Sequence, residues 1–269
     1  MSSTVELNPL LRRLRLSGVL ETLEVRNKQA IEERMSYVDF MSLVLNDEHE
    51  RREQKKLSMR IRRGSFDVTK TFETFNWEFN AQINRKEWFD LATCNFMGPG
   101  KKENVLVVGP TGVGKSHLSQ ALGSEACRRG YDVMFVTAAK LLARLNAGRA
   151  DGTLEKRIAA MAKADLLIID DFGLTQTPIR PPGSEDFYQV VAERYERAST
   201  VITSNRDFDE WPGLFNEPLL AGAALDRLCH HAHRITIKGP SYRGNTEATK
   251  ERKVSTREGG KKATREEER

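Results

Sequence analysis

Apolar positions along this 269-residue chain follow two rhythms, one after the other. Over residues 8–63 they recur near the helical period. Leu10, Leu11, Leu14, Val19, Leu20 and Leu23 continue one stripe across Ser17-Gly18, and a second begins with Phe40, Leu43, Val44 and Leu45. Ser36 is the expected N-cap of that second helix, with Asp39 in its first turn, and Gly64-Ser65 the expected stop. From residue 104 the pattern changes to short, unbroken apolar runs separated by amphipathic stretches. Strands are expected at 104–108, 132–137, 165–171, 200–205 and 234–238. Helices are expected at 117–129, ending at Gly130, then through Lys140, Arg144 and Arg149, and at 184–197. Strands that are apolar throughout and alternate with helices predict a parallel sheet sandwiched by helices with right-handed crossovers. The expected division is a helical N-terminal domain over 1–68, an α/β core over 69–243, and a polar, charged tail over 244–269 that cannot bury a core and is expected to be disordered.

Between the first core strand and the first core helix stands Gly109-Pro110-Thr111-Gly112-Val113-Gly114-Lys115-Ser116, which fits the phosphate-binding pattern G-x-x-x-x-G-K-[ST] at every fixed position. The context is the one that pattern requires, strand then loop then helix. The glycines let the backbone turn several N–H groups towards a polyphosphate. The helix that begins there, with His117 in its first turn, adds positive potential. Lys115 is expected at the β- and γ-phosphates, and the Ser116 hydroxyl on Mg²⁺. The chain is therefore expected to bind a nucleoside triphosphate, ATP with Mg²⁺.

The third core strand ends in Asp170-Asp171 after Leu166, Leu167, Ile168 and Ile169, a Walker B arrangement that delivers two acids to the carboxyl edge of the sheet. Asp170 is expected to hold Mg²⁺, and Asp171 to polarise the attacking water. The next strand ends in Asn205, placed to touch the γ-phosphate or that water. Aromatic residues crowd the connector over 71–103 (Phe72, Phe75, Trp77, Phe79, Trp88, Phe89, Phe96). They are read as packing it onto the core and helping to bury the nucleotide base.

Charge refines this picture. The net +5 is uneven: residues 1–70 carry +3, residues 244–269 carry +2, and the rest balance to zero. Arg51, Arg52, Lys55, Lys56, Arg60, Arg62 and Arg63 fall within thirteen residues opposed only by Glu53. Two readings stay open for them, contact with duplex-DNA phosphates or a solvated helix face. Under the second, the DNA path would lie over Lys140, Arg144 and Arg149. Three scattered cysteines give neither a disulfide framework nor a zinc pattern, which suits a reducing cytoplasm. No apolar stretch approaches the length of a membrane span, and the Arg-rich start is not a signal peptide. Cys229-His230-His231-Ala232-His233 lacks further ligands at metal spacing and is read as structural or interface histidines.

Taken together these motifs resemble a known group. The P-loop and Asp170-Asp171 are followed by Arg194-Tyr195-Glu196-Arg197, Thr203-Ser204-Asn205, Phe208-Asp209-Glu210-Trp211, Leu225-Asp226-Arg227-Leu228, Leu228-Cys229-His230-His231-Ala232 and Gly239-Pro240-Ser241-Tyr242-Arg243. The series, from about Leu10 to Arg243, is similar to IstB-type transposition helper ATPases, in the AAA+ clade of the bacterial replication initiator and helicase loader. The resemblance implies an AAA+ P-loop core preceded by a small helical domain, with Asn205 as sensor 1. It also implies that Arg227 is an arginine finger acting on ATP held by a neighbouring subunit. The family is expected to form ATP-dependent homo-oligomers on duplex target DNA, hydrolyse ATP and deliver the DNA to a partner transposase, without a membrane. A helicase-loading role is the alternative; a metabolic kinase is disfavoured by the lack of an acceptor-binding lid. Two departures stand out. Asp171 occupies a position where many members carry Glu, and no sensor-2 arginine helix is evident, which leaves Arg243 as a possible substitute.

Overall fold

The computed structural model describes residues 3–174 and 178–242. Arg243 and the segment 244–269, with the disorder expected there, lie outside the described residues. The chain divides after Arg62 into two compact units.

The first unit is helical: α1 (Ser3–Arg13), α2 (Ser17–Glu32) and most of α3 (Tyr37–Gly64). Leu11, Val19, Leu23 and Val44 form its small core, with Leu16, Leu20 and Phe40 packed against it. The single stripe expected from Leu10 to Leu23 is broken, because Arg15 takes a left-handed conformation (φ 56°) and α2 restarts at Ser17. The Glu48 carboxylate of α3 then accepts a hydrogen bond from the Gly18 N–H at 2.6 Å, supplying the anionic cap that Leu16 cannot. Gly18 is required there, since a Cβ would lie 2.7 Å from the Glu48 Cα. Arg26 clasps Asp47 through Nε and Nη2 at 2.8 and 2.7 Å, and the paired guanidinium holds that carboxyl below its ordinary range. Ser36 caps α3 as expected, its hydroxyl accepting from the Asp39 N–H at 3.2 Å.

The second unit is an α/β layer structure. After α4 (Arg85–Ala92) come β1 (Asn104–Val108), α5 (Lys115–Arg128), β2 (Val133–Thr137), α6 (Ala138–Ala150), α7 (Leu154–Lys163), β3 (Leu166–Phe172), α8 (Gly183–Arg194), β4 (Ser199–Ser204), α9 (Pro218–Cys229) and β5 (Ala232–Thr236). The five strands run parallel in the order β2-β3-β4-β1-β5. Every residue of β1 and β4 is buried, which is why both read as unbroken apolar or small runs. The fifth strand starts at Ala232, two residues ahead of the run expected from its apolar pattern. Three helices of this unit escaped the periodicity reading: α4, inside the stretch read as an aromatic connector, and α7 and α9. In α7 only Ile158 and Met161 are buried, a stripe of two residues. The start of α9 is marked mainly by Pro218 at its first position.

The amino edge of the sheet is tied by Arg194, only 2% exposed. Its guanidinium donates to the carbonyls of Met161 (2.6 Å), Ala164 (2.7 Å) and Ser199 and to Thr200 Oγ1 (3.0 Å). Burial pulls its pKa down to about 9, opposed in part by the nearby Asp165 carboxylate. Arg194 thereby anchors Tyr195, the residue that ends α8.

Candidate nucleotide site

The carboxyl ends of β1, β3 and β4 converge because β4 lies between the other two. Val108 leads into the glycine loop, and the loop ends where α5 begins at Lys115. Gly109, Gly112 and Gly114 have φ of 150°, 86° and 106°, backbone that side chains rarely adopt. Close packing adds a second reason at all three: a Cβ would meet the Ile237 carbonyl oxygen at 2.1 Å on Gly109, the Ser241 Oγ at 2.1 Å on Gly112 and the Phe75 ring at 2.7 Å on Gly114. Lys115, 6% exposed, donates from Nζ to the carbonyls of Gly109 (2.7 Å) and Pro110 (2.8 Å).

Thr203 organises the two acids. Its hydroxyl donates to Asp170 Oδ1 and accepts from the Asp171 N–H at 3.1 Å. A bulge between Ile169 and Phe172 breaks the β3–β4 register at this point, and Asp171 takes φ 57°. That conformation is one Asp tolerates better than most residues. The bulge separates the acids: Asp170 is 4% exposed, whereas Asp171 opens into a cavity of about 360 Å³.

That cavity is lined by Thr111, Gly112, Val113, Gly114, Lys115, Ser116, His117, Asp171 and Asn205. The structure therefore brings most of the expected site residues to one wall. Gly109 and Pro110 lie behind the loop and contribute the carbonyls that hold Lys115, and Asp170 lies beneath the floor, bonded to Thr203. The opposite wall comes from Lys70, Thr74, Phe75, Asn76, Phe79, Leu174 and Tyr242. Phe75 meets the His117 ring edge-on at 5.1 Å, and His117 Nε2 sits 2.9 Å from the Thr71 carbonyl oxygen. Tyr242 donates its N–H to the Gly112 carbonyl at 3.0 Å, with its ring perpendicular to Phe79 at 4.9 Å. The connector aromatics divide accordingly. Phe72, Trp88 and Phe96 are buried, whereas Phe75 and Phe79 face the cavity. Thr203 and Tyr242 are functional candidates that spacing alone did not mark.

Arg227 lies elsewhere. The carbonyl of its neighbour Leu228 accepts from Asn104 Nδ2 at 3.0 Å, at the amino end of β1, while the glycine loop follows the carboxyl end. The Arg227 guanidinium donates to the Ala223 carbonyl at 2.9 Å and faces the rings of Tyr188 and Tyr195 at 5.2 and 5.8 Å. It forms no ion pair among the described residues.

The cations of α3 also separate into two groups. Arg51 pairs with Glu21, Arg52 with Glu48 and Lys56 with Glu53, whereas Lys55, Arg60, Arg62 and Arg63 form no ion pair with a described residue. On α6, Lys140 and Arg144 are exposed, but Arg149 is bound bidentately by the buried Asp186 at 2.7 and 3.0 Å and again by Glu185 at 3.1 Å. Its charge is spent within the fold. His230 takes a hydrogen bond with Tyr195 Oη at 3.1 Å, and His233 pairs with Glu103 at 2.8 Å. No cluster of three His, Cys, Asp or Glu suited to a metal occurs among the described residues. Nor is any helix among them long and apolar enough to cross a membrane.

Comparison with known proteins agrees with this geometry. A model of the IstB-like ATP binding protein family matches residues 9–250. An ATP-binding protein of an insertion sequence from Mycobacterium tuberculosis is 37% identical over 234 residues, covering 87% of this chain and 92% of that protein. The ATP-binding protein of insertion sequence IS21 from Pseudomonas aeruginosa is 35% identical, with 88% of each chain covered. Among solved structures, DnaI superposes with a TM-score of 0.53 at 22% identity, over 62% of this chain and 90% of that one. AMPPCP-bound DnaA from Aquifex aeolicus gives 0.51 at 19% identity, over 64% and 51%. These neighbours share the fold of the core, a parallel sheet flanked by helices, and in this chain three helices precede it.

Proposed function

The chain belongs to the family of IstB-like ATP binding proteins, and from that premise we propose that it is an ATP-dependent, DNA-binding helper of transposition acting in the cytoplasm. In this reading it oligomerises on duplex target DNA, hydrolyses ATP and delivers the DNA to a partner transposase. Relatives named as ATP-binding proteins of insertion sequences support the setting. The observation that carries the enzymatic part is the single cavity in which the glycine loop, Asp171 and Asn205 meet.

The residues fit the nucleotide they would hold. Positive-φ glycines leave the loop N–H groups free of side-chain obstruction, and Lys115 brings a buried cation to the phosphates. Ser116 and Asp170 offer the hard oxygen donors that Mg²⁺ prefers, and when bound the ion would offset charge on the β- and γ-phosphates. Asp171, which the bulge turns into the cavity, would accept a hydrogen bond from the attacking water. Asn205 can orient the same water or touch the γ-phosphate. Phe75, Phe79 and Tyr242 form an apolar wall suited to a base. Arg227 would complete the site of a neighbouring subunit, and the functional division is a helical DNA- and oligomer-contacting region over 1–68 and an ATPase core over 69–243.

Lys115→Ala tests the cradle. Its ATP affinity, measured by calorimetry with Mg²⁺, is expected to fall below detection with the fold intact, because the buried cation facing the phosphates is gone. Near-parental affinity would overturn the assignment. The DNA-contact reading rests on Lys55, Arg60, Arg62 and Arg63, whose charges are not cancelled by ion pairs among the described residues. Reversing Arg60, Arg62 and Arg63 to Glu is expected to weaken duplex binding for all sequences alike. The slope of log affinity against log salt should also fall by about 0.9 per lost phosphate contact. An unchanged slope would make this stretch of α3 a solvated face.

A further inference from the structure

A finger must be ordered before its phosphate arrives and must keep its charge. Those demands conflict when the ordering partner is a carboxylate, because an ion pair holds the guanidinium but cancels the charge it would deliver. Arg227 is held in another way. Two aromatic faces and one carbonyl fix it, and no carboxylate among the described residues pairs with it. Nη1 alone donates to a described residue, which leaves Nε and Nη2 for a ligand.

The rings are themselves braced. Tyr188 and Tyr195 are seven residues apart, two turns along one face of α8 and its C-cap. The Tyr195 N–H donates to the Val191 carbonyl, and Glu196 at φ 59° reverses the chain directly after it. The preceding Arg194 fixes this corner to the ends of α7 and β4 through four hydrogen bonds. A cavity of about 420 Å³ opens beside the group, lined by Lys101, Lys102, Arg227 and His231 and also by the carboxylates Glu103 and Glu196, with room for a phosphate chain from outside the subunit.

We infer that Tyr188 and Tyr195 are positioning residues for Arg227, presenting its uncancelled guanidinium to ATP held by a second copy of this chain. The inference rests on the reading of Arg227 as a residue that acts between subunits. The rings hold the cation through their faces, so the face is what matters and not the hydroxyl.

Full-length Tyr188→Leu/Tyr195→Leu and Tyr188→Phe/Tyr195→Phe variants test it, with turnover and ATP affinity measured separately. The Leu pair is expected to keep parental ATP affinity and to lose roughly 10-fold in kcat, within the reach of two cation–π contacts. The Phe pair keeps both ring faces and is expected to retain parental kcat. Adding Lys115→Ala, which has an intact finger corner but an impaired cradle, should raise the turnover of the Leu pair towards the parental value. Three results would overturn the inference: parental kcat in the Leu pair, equal loss in the Phe pair, or no gain on adding Lys115→Ala. If Arg227→Ala itself turned over ATP at the parental rate, the intersubunit reading would fall first. A slow Arg227→Ala beside fully active tyrosine variants would overturn the positioning role alone.

Discussion

Arg227→Ala is expected to bind ATP as the parent does and to hydrolyse it roughly 10³–10⁵-fold more slowly, the range over which arginine fingers act. The two halves of that expectation come from opposite edges of one sheet. The glycine loop follows Val108, whereas Arg227 sits beside Asn104, four residues back along β1. At about 3.3 Å per residue that separation is roughly 13 Å, and the Arg227 side chain is directed at Tyr188 and Tyr195. Removing it therefore leaves its own cradle untouched. Calorimetry with ATP and steady-state phosphate release, run on the same preparation, check the two halves separately. Loss of affinity together with turnover would mark Arg227 as a structural residue of its own subunit.

Asp171→Asn should likewise bind ATP normally, with turnover reduced by about 10²–10⁴, the usual contribution of a positioned base. The substitution is mild for the backbone, because Asn tolerates the left-handed conformation at φ 57° as well as Asp does. The Asp171 N–H can still donate to Thr203, so the bulge is retained. Only the carboxylate's capacity to accept from the water is lost. Single-turnover hydrolysis isolates this step, and parental rates would move the water-activating role to another residue.

Much of this was legible in the sequence because it is local. The glycine loop, the strand before it and the helix after it lie within about thirty residues, and their signals reinforce one another. The fully buried strands also declared themselves, since an apolar run needs no long-range information to be recognised. What was not legible depends on sheet order. That β4 lies between β1 and β3 is what lets Thr203 bridge Asp170 and Asp171, and no spacing encodes it. The bulge that buries one acid and exposes the other is equally a product of pairing. The same holds for Tyr242, brought over Gly112 by the return of the chain after β5. Arg149 illustrates the opposite error. Its charge seemed available in sequence, but Asp186, 37 positions away, takes it up. Arg194 was noticed only as part of a motif, because three of its four partners are main-chain carbonyls, which have no sequence signature.

If the ATP site is shared between copies of the chain, mixing two inactive variants restores what each lacks. Arg227→Ala supplies a loaded cradle without a finger, and Lys115→Ala supplies a finger without a working cradle. At equal amounts and random assembly, roughly a quarter of head-to-tail interfaces would unite the two intact halves. ATP turnover by the mixture, followed with duplex DNA present across mixing ratios, is predicted to rise far above either variant and to peak near equal proportions. Turnover equal to the sum of the two separate rates at every ratio would contradict the shared site.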